Sequence, residues 1–252
     1  MRGLAGRRVI VAGGAGGIGA AICRRLGEEG MQVVCADISE KRGRAVAETL
    51  SREGLTVSFE PLDTGDPAGW GRLTASHARI DALVTAAYFA RGGRIEDLSG
   101  EAWKENFQVT LDGVFYGMRA CVPRMPRGAA IVNISSVAAR LGMPVNAGYG
   151  AAKSAVSGLT RTAAVTFAAQ GIRVNSISPG FITTRALDGL SELMATEHGD
   201  ADAAKQSLLS RIPLGAFGQP ADISGTVAFL ISQDSAYVTG VDLVVDGGYM
   251  VA

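Results

Sequence analysis

The sequence is poor in the residues that carry most metal, disulfide and triad chemistry. It has three cysteines and two histidines in 252 residues. Cys23, Cys35 and Cys121 show neither CxxC spacing nor a pairing pattern. That argues against a disulfide framework and a structural zinc site, and for three buried apolar thiols. His77 and His198 offer too little material for a histidine metal site or a Ser/His/Asp triad, so no metal is expected. Charge of one sign is also lacking. Lys plus Arg and Asp plus Glu each number 24, so the formal net charge is zero. A neutral chain has no electrostatic footprint for nucleic acid or an anionic membrane, and leans towards self-association. No apolar run reaches the ~18 residues of a membrane span. Arg7 and Arg8 ahead of the apolar stretch 9–23 mimic a secretion signal. Gly13, Gly14, Gly16, Gly17 and Gly19 interrupt that stretch, so a strand, a turn and a helix start fit it better. Cytoplasmic residence is the resulting expectation.

What is present is a globular composition, 47% hydrophobic and 19% charged, at a length that suits one large α/β domain over 1–252. Short apolar runs at 9–12, 32–36, 55–61, 81–86, 129–135, 172–178 and 241–246 read as strands. Helical patterns at 18–29, 40–53, 67–78, 101–125, 149–170 and 219–232 separate them, with Ala45, Val46, Ala47 and Leu50 as the inward stripe of the second. Strands apolar on both faces and separated by helices imply a parallel, doubly wound Rossmann-type sheet of about seven strands. The segment 181–211 reads as a long irregular stretch, a candidate substrate lid.

Gly13 to Gly19 follow a strand and open a helix. Glycine there permits a tight turn and close approach to a pyrophosphate, and the helix N-terminus supplies free amides. Asp37 ends the second strand, 18 residues after Gly19, where an acid hydrogen-bonds the adenosine ribose. It would repel a 2′-phosphate, and the glycine turn holds no basic residue, so NAD is favoured over NADP. The competing reading is a helix cap, a task open to Ser39 as well.

Tyr149 and Lys153 are spaced i, i+4 at a helix start and share a face. Ser136 ends the fifth strand, 13 residues before Tyr149. Ligands of doubly wound folds bind beyond the carboxyl ends of the strands, where these three can converge.

Tyr149-Gly150-Ala151-Ala152-Lys153, Ile134-Ser135-Ser136 and Ala12-Gly13 through Gly17-Ile18-Gly19 together resemble the short-chain dehydrogenase/reductase family. The segments 174–180 and 239–248 extend the resemblance over nearly the whole chain. It implies a nicotinamide enzyme acting on an alcohol/ketone pair. Tyr149 would be the acid/base, Lys153 would lower its pKa and hold the nicotinamide ribose, and Ser136 would bind the substrate oxygen. The cofactor contacts it implies are Gly13, Gly17, Ile18, Gly19, Asp37, Ile38, Asp63, Thr64, Ala86, Ala87, Tyr149, Lys153, Pro179, Gly180, Ile182 and Thr184. It also implies a homotetramer built on the two long helices, whose small residues Ala151, Ala152, Ala155 and Gly158 permit close approach or face the sheet.

Three segments depart from the family pattern. Ala12 replaces a threonine, and Thr85-Ala86-Ala87-Tyr88 replaces Asn-Asn-Ala-Gly. Tyr88 either narrows the pocket or packs under the next loop. Thr110 stands where the family's fourth catalytic residue, an asparagine, is expected, with Asn106 one turn earlier on the same face. These departures keep open a non-redox enzyme on the same scaffold, such as a cyclase, dehydratase or epimerase, and a catalytically silent NAD(H)-binding regulator. The pocket is expected along 88–94, 138–147 and 181–198. Met143, Val145, Leu187, Leu190 and Met194 point to an apolar, cyclic or aromatic substrate, and Arg91, Arg94, Arg140 or Arg185 to an acidic one.

Overall fold

The computed structural model describes residues 1–252, apart from the side chains of residues 196–198. His198 therefore lies outside the described side chains. Seven strands, β1 (Arg8–Ala12), β2 (Gln32–Asp37), β3 (Val57–Pro61), β4 (Ala82–Thr85), β5 (Ala130–Ile134), β6 (Arg173–Pro179) and β7 (Asp242–Val245), form one sheet. Their order is β3-β2-β1-β4-β5-β6-β7, and every pairing is parallel. The order reverses between β1 and β4, which opens a crevice beyond their carboxyl ends. β1, β4 and β5 sit in the middle of the sheet, and their residues from Val9 on are buried. That burial explains why they read as continuous apolar runs rather than alternating ones.

Nine α-helices occur among the described residues: α1 (Gly17–Glu28), α2 (Glu40–Arg52), α3 (Pro67–Ala75), α4 (Gly100–Phe107), α5 (Gly113–Cys121), α6 (Ala147–Phe167), α7 (Arg185–His198), α8 (Ala201–Leu209) and α9 (Pro220–Ile231). Two apolar clusters cover the sheet. Ile22, Leu26, Ile223 and Val227 belong to one, Trp70, Leu83, Met118 and Val156 to the other. Each fully buried aliphatic side chain of this kind is worth about 1.5–3 kcal/mol. All three cysteines are buried and free, as expected. None of the helices is long and apolar enough to cross a membrane, and no cluster of metal-ligating groups occurs among the described residues.

Three readings need correction. The helix expected over 101–125 is broken by a wide π turn at Gln108–Asp112 between α4 and α5. The inward residues Ala102, Asn106, Thr110 and Val114 recur every four positions. Around a regular α-helix that spacing drifts about 40° per step, and a wider turn cancels the drift. The segment 181–211 is not irregular. It holds α7 and α8, whose Leu187, Leu190 and Met194 join Phe181, Leu208, Ile212 and Tyr249 in a third apolar cluster. In α2, Gly43, Ala47 and Leu50 are buried while Ala45 is exposed.

Candidate active site

The glycine turn lies at the crevice between β1 and β4. Gly13 has φ +82°, and a Cβ there would collide with the backbone of Ala87. The turn is thus pressed against the loop that leaves β4, which brings Ala86 and Ala87 beside it. The N-cap of α1 is Gly16, so the first-turn amides at Gly17, Ile18 and Gly19 face the crevice without a capping side chain. A Cβ on Gly17 would lie 2.8 Å from Thr184 Cγ2, so the turn also meets the start of α7. Such a cradle of close backbone and an uncapped helix start fits a dinucleotide pyrophosphate.

Asp37 stands at the end of β2, and its carboxylate is 7% exposed. It does more than cap a helix. One oxygen accepts the Ser39 amide at 2.9 Å, and the other accepts the Ala15 amide of the glycine turn at 3.0 Å. Ile38 beside it is 70% exposed, an apolar side chain turned to solvent at the same crevice. Asp63 is exposed and accepts the Gly65 amide, and Thr64 is buried with its carbonyl on Trp70 Nε1. At the far side, Pro179 ends β6, and the Gly180 amide donates to Val245. Ile182 is bridged to Gly218, and Thr184 is the N-cap of α7.

Ser136, Tyr149 and Lys153 converge at the carboxyl end of β5. Lys153 is 2% exposed and donates through Nζ to the Ile134 carbonyl at 2.6 Å. Its Nζ lies 5.7 Å from the centre of the Tyr149 ring. Loss of water around the ammonium pulls its pKa down to about 7. Burial pushes the Tyr149 phenol up, and a hydrogen bond from Ser136 opposes that shift. The Ser136 hydroxyl also accepts the Ala138 amide at 3.1 Å. These three side chains can together donate a proton to, or take one from, an oxygen placed between Ser136 and Tyr149.

Behind them runs a polar chain that the sequence did not reveal. Ser135 donates to the Lys153 carbonyl and pairs with Ser157 at 2.9 Å. Ser157 reaches Asp242 on β7, which also accepts Ser176, Ser178 and Arg140. Asn133 bridges Thr85 and Thr160 at 2.8 and 2.9 Å, so Thr85 still braces the strand where the family has asparagine. Only the fold brings these residues together. Their one sequence signal is polarity inside strands otherwise apolar.

The Thr110 side chain makes its hydrogen bonds to the loop after β4. Its hydroxyl accepts the Phe89 amide at 3.1 Å and donates to the Phe89 carbonyl at 3.2 Å. Asn106 is fully buried and donates to the carbonyls of Arg91 and Ala102. Tyr88, next to the first of these anchors, is 45% exposed, so it is not packed under the next loop. Three of the candidate anion-binding arginines are committed elsewhere: Arg91 to Glu105, Arg94 to Glu96 and Arg140 to Asp242. Arg185 is exposed at the start of α7. The apolar candidates Met143, Leu187, Leu190 and Met194 share one cluster with Tyr249 and Met250 of the C-terminal turn, which sequence reasoning missed. In α6, Ala152 faces the core, while Ala151, Ala155 and Gly158 remain partly exposed.

The chain is similar to several known proteins. The family described as enoyl-(acyl carrier protein) reductase matches residues 13–250. A 2,5-dichloro-2,5-cyclohexadiene-1,4-diol dehydrogenase of Sphingobium indicum is 34% identical over 254 residues, covering 98% of both chains. A cyclopentanol dehydrogenase of Comamonas sp. is 36% identical over 247 residues, covering 96% of both. Among solved structures, a variant of actinorhodin polyketide ketoreductase with NADPH superposes with a TM-score of 0.92 at 28% identity, each chain covered completely. The glycine turn, the Ser136–Tyr149–Lys153 group and these relatives together show that the chain belongs to the short-chain dehydrogenase/reductase family, whose members bind a nicotinamide cofactor.

Proposed function

We propose that the protein interconverts a secondary alcohol and its ketone with NAD(H), and that Tyr149 is the acid/base. The observation that carries this reading is the convergence of Ser136, Tyr149 and Lys153 at the carboxyl end of β5, at the same end of the sheet as the glycine turn. When bound, NAD accepts the hydride of the alcohol or returns it to the ketone. Gly13, Gly17, Ile18 and Gly19 receive its pyrophosphate, and Asp37 and Ile38 its adenosine ribose. Asp63, Thr64, Ala86 and Ala87 flank the adenine side. Pro179, Gly180, Ile182 and Thr184 flank the nicotinamide.

Tyr149 takes the hydroxyl proton in oxidation and gives it back in reduction. Ser136 holds the substrate oxygen and offsets its growing charge. Lys153, when protonated, favours the Tyr149 phenolate that burial opposes. The Thr110 hydroxyl is engaged by Phe89 and is not proposed as a proton carrier. The Asp37 carboxylate supports NAD over NADP, since a 2′-phosphate there would meet a buried negative charge.

The substrate proposed is a compact, uncharged ring alcohol. Two observations support it: three of the four candidate arginines sit in ion pairs, and Met143, Leu187, Leu190 and Met194 form an apolar cluster. The names of the two curated relatives point the same way. The reading further takes 1–252 as one dinucleotide-binding domain with 181–211 as its lid. It places the enzyme in the cytoplasm as a homotetramer joined through the α5 and α6 faces.

The test is NADH formation from NAD⁺ across cyclic and linear secondary alcohols, with Tyr149→Phe as control. Loss of about 10²–10⁴ in kcat with NADH binding retained is the expected result. Full turnover by the variant would remove Tyr149 from its role. Tight NADH binding without turnover of any alcohol or ketone would bring forward the non-redox and regulatory readings.

A further inference from the structure

Two departures from the family pattern, Tyr88 and Thr110, meet in one structural unit. The loop after β4 is held at three successive points. Beneath it, the glycine turn presses on the Ala87 backbone, where a Gly13 Cβ would collide. At its centre, Thr110 engages both the amide and the carbonyl of Phe89. At its far end, Asn106 Nδ2 donates to the Arg91 carbonyl at 3.2 Å, and Arg91 pairs with Glu105 at 3.1 Å. Both flanks of Tyr88 are therefore fixed, and its side chain has little freedom beyond rotation about its own bonds.

That side chain leans over the reacting group. The Tyr88 and Tyr149 rings are 5.9 Å apart at 70°, an edge-to-face contact. Lys153 Nζ lies 6.0 Å from the Tyr88 ring centre. The ring is nevertheless 45% exposed, so part of it is open to whatever approaches Tyr149. Farther along the loop, a Cβ on Gly92 would collide with Leu193 of α7, so loop and lid helix abut.

We propose that Tyr88 is a specificity-determining wall of the substrate slot, held in place by Thr110, and that it favours compact ring alcohols over bulkier ones. A substrate oxygen delivered to Tyr149 brings its carbon skeleton alongside the Tyr88 ring. A small saturated ring packs against an aromatic face. A fused bicycle needs the space that the ring fills. Thr110 acts through Tyr88 and is a positioning residue. The proposal rests on the alcohol dehydrogenase reading above and deepens it.

The experiment compares kcat/KM for cyclopentanol and for decahydro-2-naphthol in the wild type and four variants. Tyr88→Ala is expected to raise the bicycle-to-cyclopentanol ratio by about tenfold or more, mainly through KM, the scale of a few methylenes of pocket space. Tyr88→Phe, which keeps the ring, retains the wild-type ratio. Thr110→Val moves the ratio in the same direction as Tyr88→Ala, and the double variant goes no further than Tyr88→Ala alone. An unchanged ratio in Tyr88→Ala, or an equal loss of kcat on both alcohols, overturns the proposal. Additive effects of the two changes overturn the role given to Thr110. Should no alcohol turn over, the parent reading has failed and the slot is tested by itself. Calorimetry with cyclopentanone and 2-decalone on the NADH-bound protein then gives the same ratio as dissociation constants. A ratio unmoved by Tyr88→Ala there overturns the wall as well.

Discussion

The Lys153 ammonium donates to the Ile134 carbonyl at 2.6 Å, tying the helix that carries Tyr149 to the last residue of β5. That bond does not replace the water the ammonium has lost, and its pKa falls to about 7. The unfolded chain keeps this proton up to about pH 10.4. Between roughly pH 7 and 10 the unfolded state therefore binds more protons, and stability from this group rises with pH. Lys153→Met in the cofactor-free protein is expected to flatten that rise and to increase the melting temperature at pH 7. The full effect is on the order of a few kcal/mol. Parallel melting curves against pH for the two proteins would show that the charge is not penalised.

Asp37 links two amides, Ala15 and Ser39, and holds negative charge where the adenosine ribose is proposed to lie. Asp37→Asn removes the charge and keeps an acceptor for one of the two amides, while the other meets the Nδ2 donor. The expected outcome is a rise of about tenfold or more in kcat/KM for NADP⁺ relative to NAD⁺, equivalent to about 1.4 kcal/mol. Steady-state rates with both cofactors measure it. A ratio that does not move would assign cofactor choice to other residues.

Asp242 is the most heavily used carboxylate near the site, with Ser157, Ser176, Ser178 and Arg140 all donating to it. Its side chain is 6% exposed. Asp242→Ala strands three buried hydroxyls and Arg140, and is expected to cost about 3–5 kcal/mol of stability. Arg140 is 42% exposed, so Arg140→Ala costs about 1 kcal/mol or less. Urea unfolding of the single and double variants checks both values and their non-additivity. A mild Asp242→Ala would mean that the serines find other partners.

The inner strands β1, β4 and β5 were legible because a parallel sheet covered on both faces leaves each of them a short apolar run. Asp37, Ser136, Tyr149 and Lys153 were legible because each sits at a fixed offset from an element end. The helices of 181–211 were harder to read. Leu187, Leu190 and Met194 have helical spacing, but Gly189 and Gly199 interrupt the pattern. The work of Asn106 was hidden for another reason. Its partner Arg91 is 15 positions away, across a loop whose path no local pattern sets. The same holds for Asp242 and Ser157, 85 positions apart.

The wide turn at Gln108–Asp112 places Glu105 and Asn106 over the Tyr88 loop while Val114 and Met118 stay in the core. In effect the helix carries one surplus residue, which the wide turn absorbs so that its two halves stay in phase. Winding the same residues into a regular α-helix would add about 100° and turn the half before this point by that angle relative to the half after it. Glu105 and Asn106 would swing off Arg91, and the aromatic wall would lose an anchor with every side chain of the site still present. The width of this turn is thus as much a determinant of the pocket as the identity of any residue lining it.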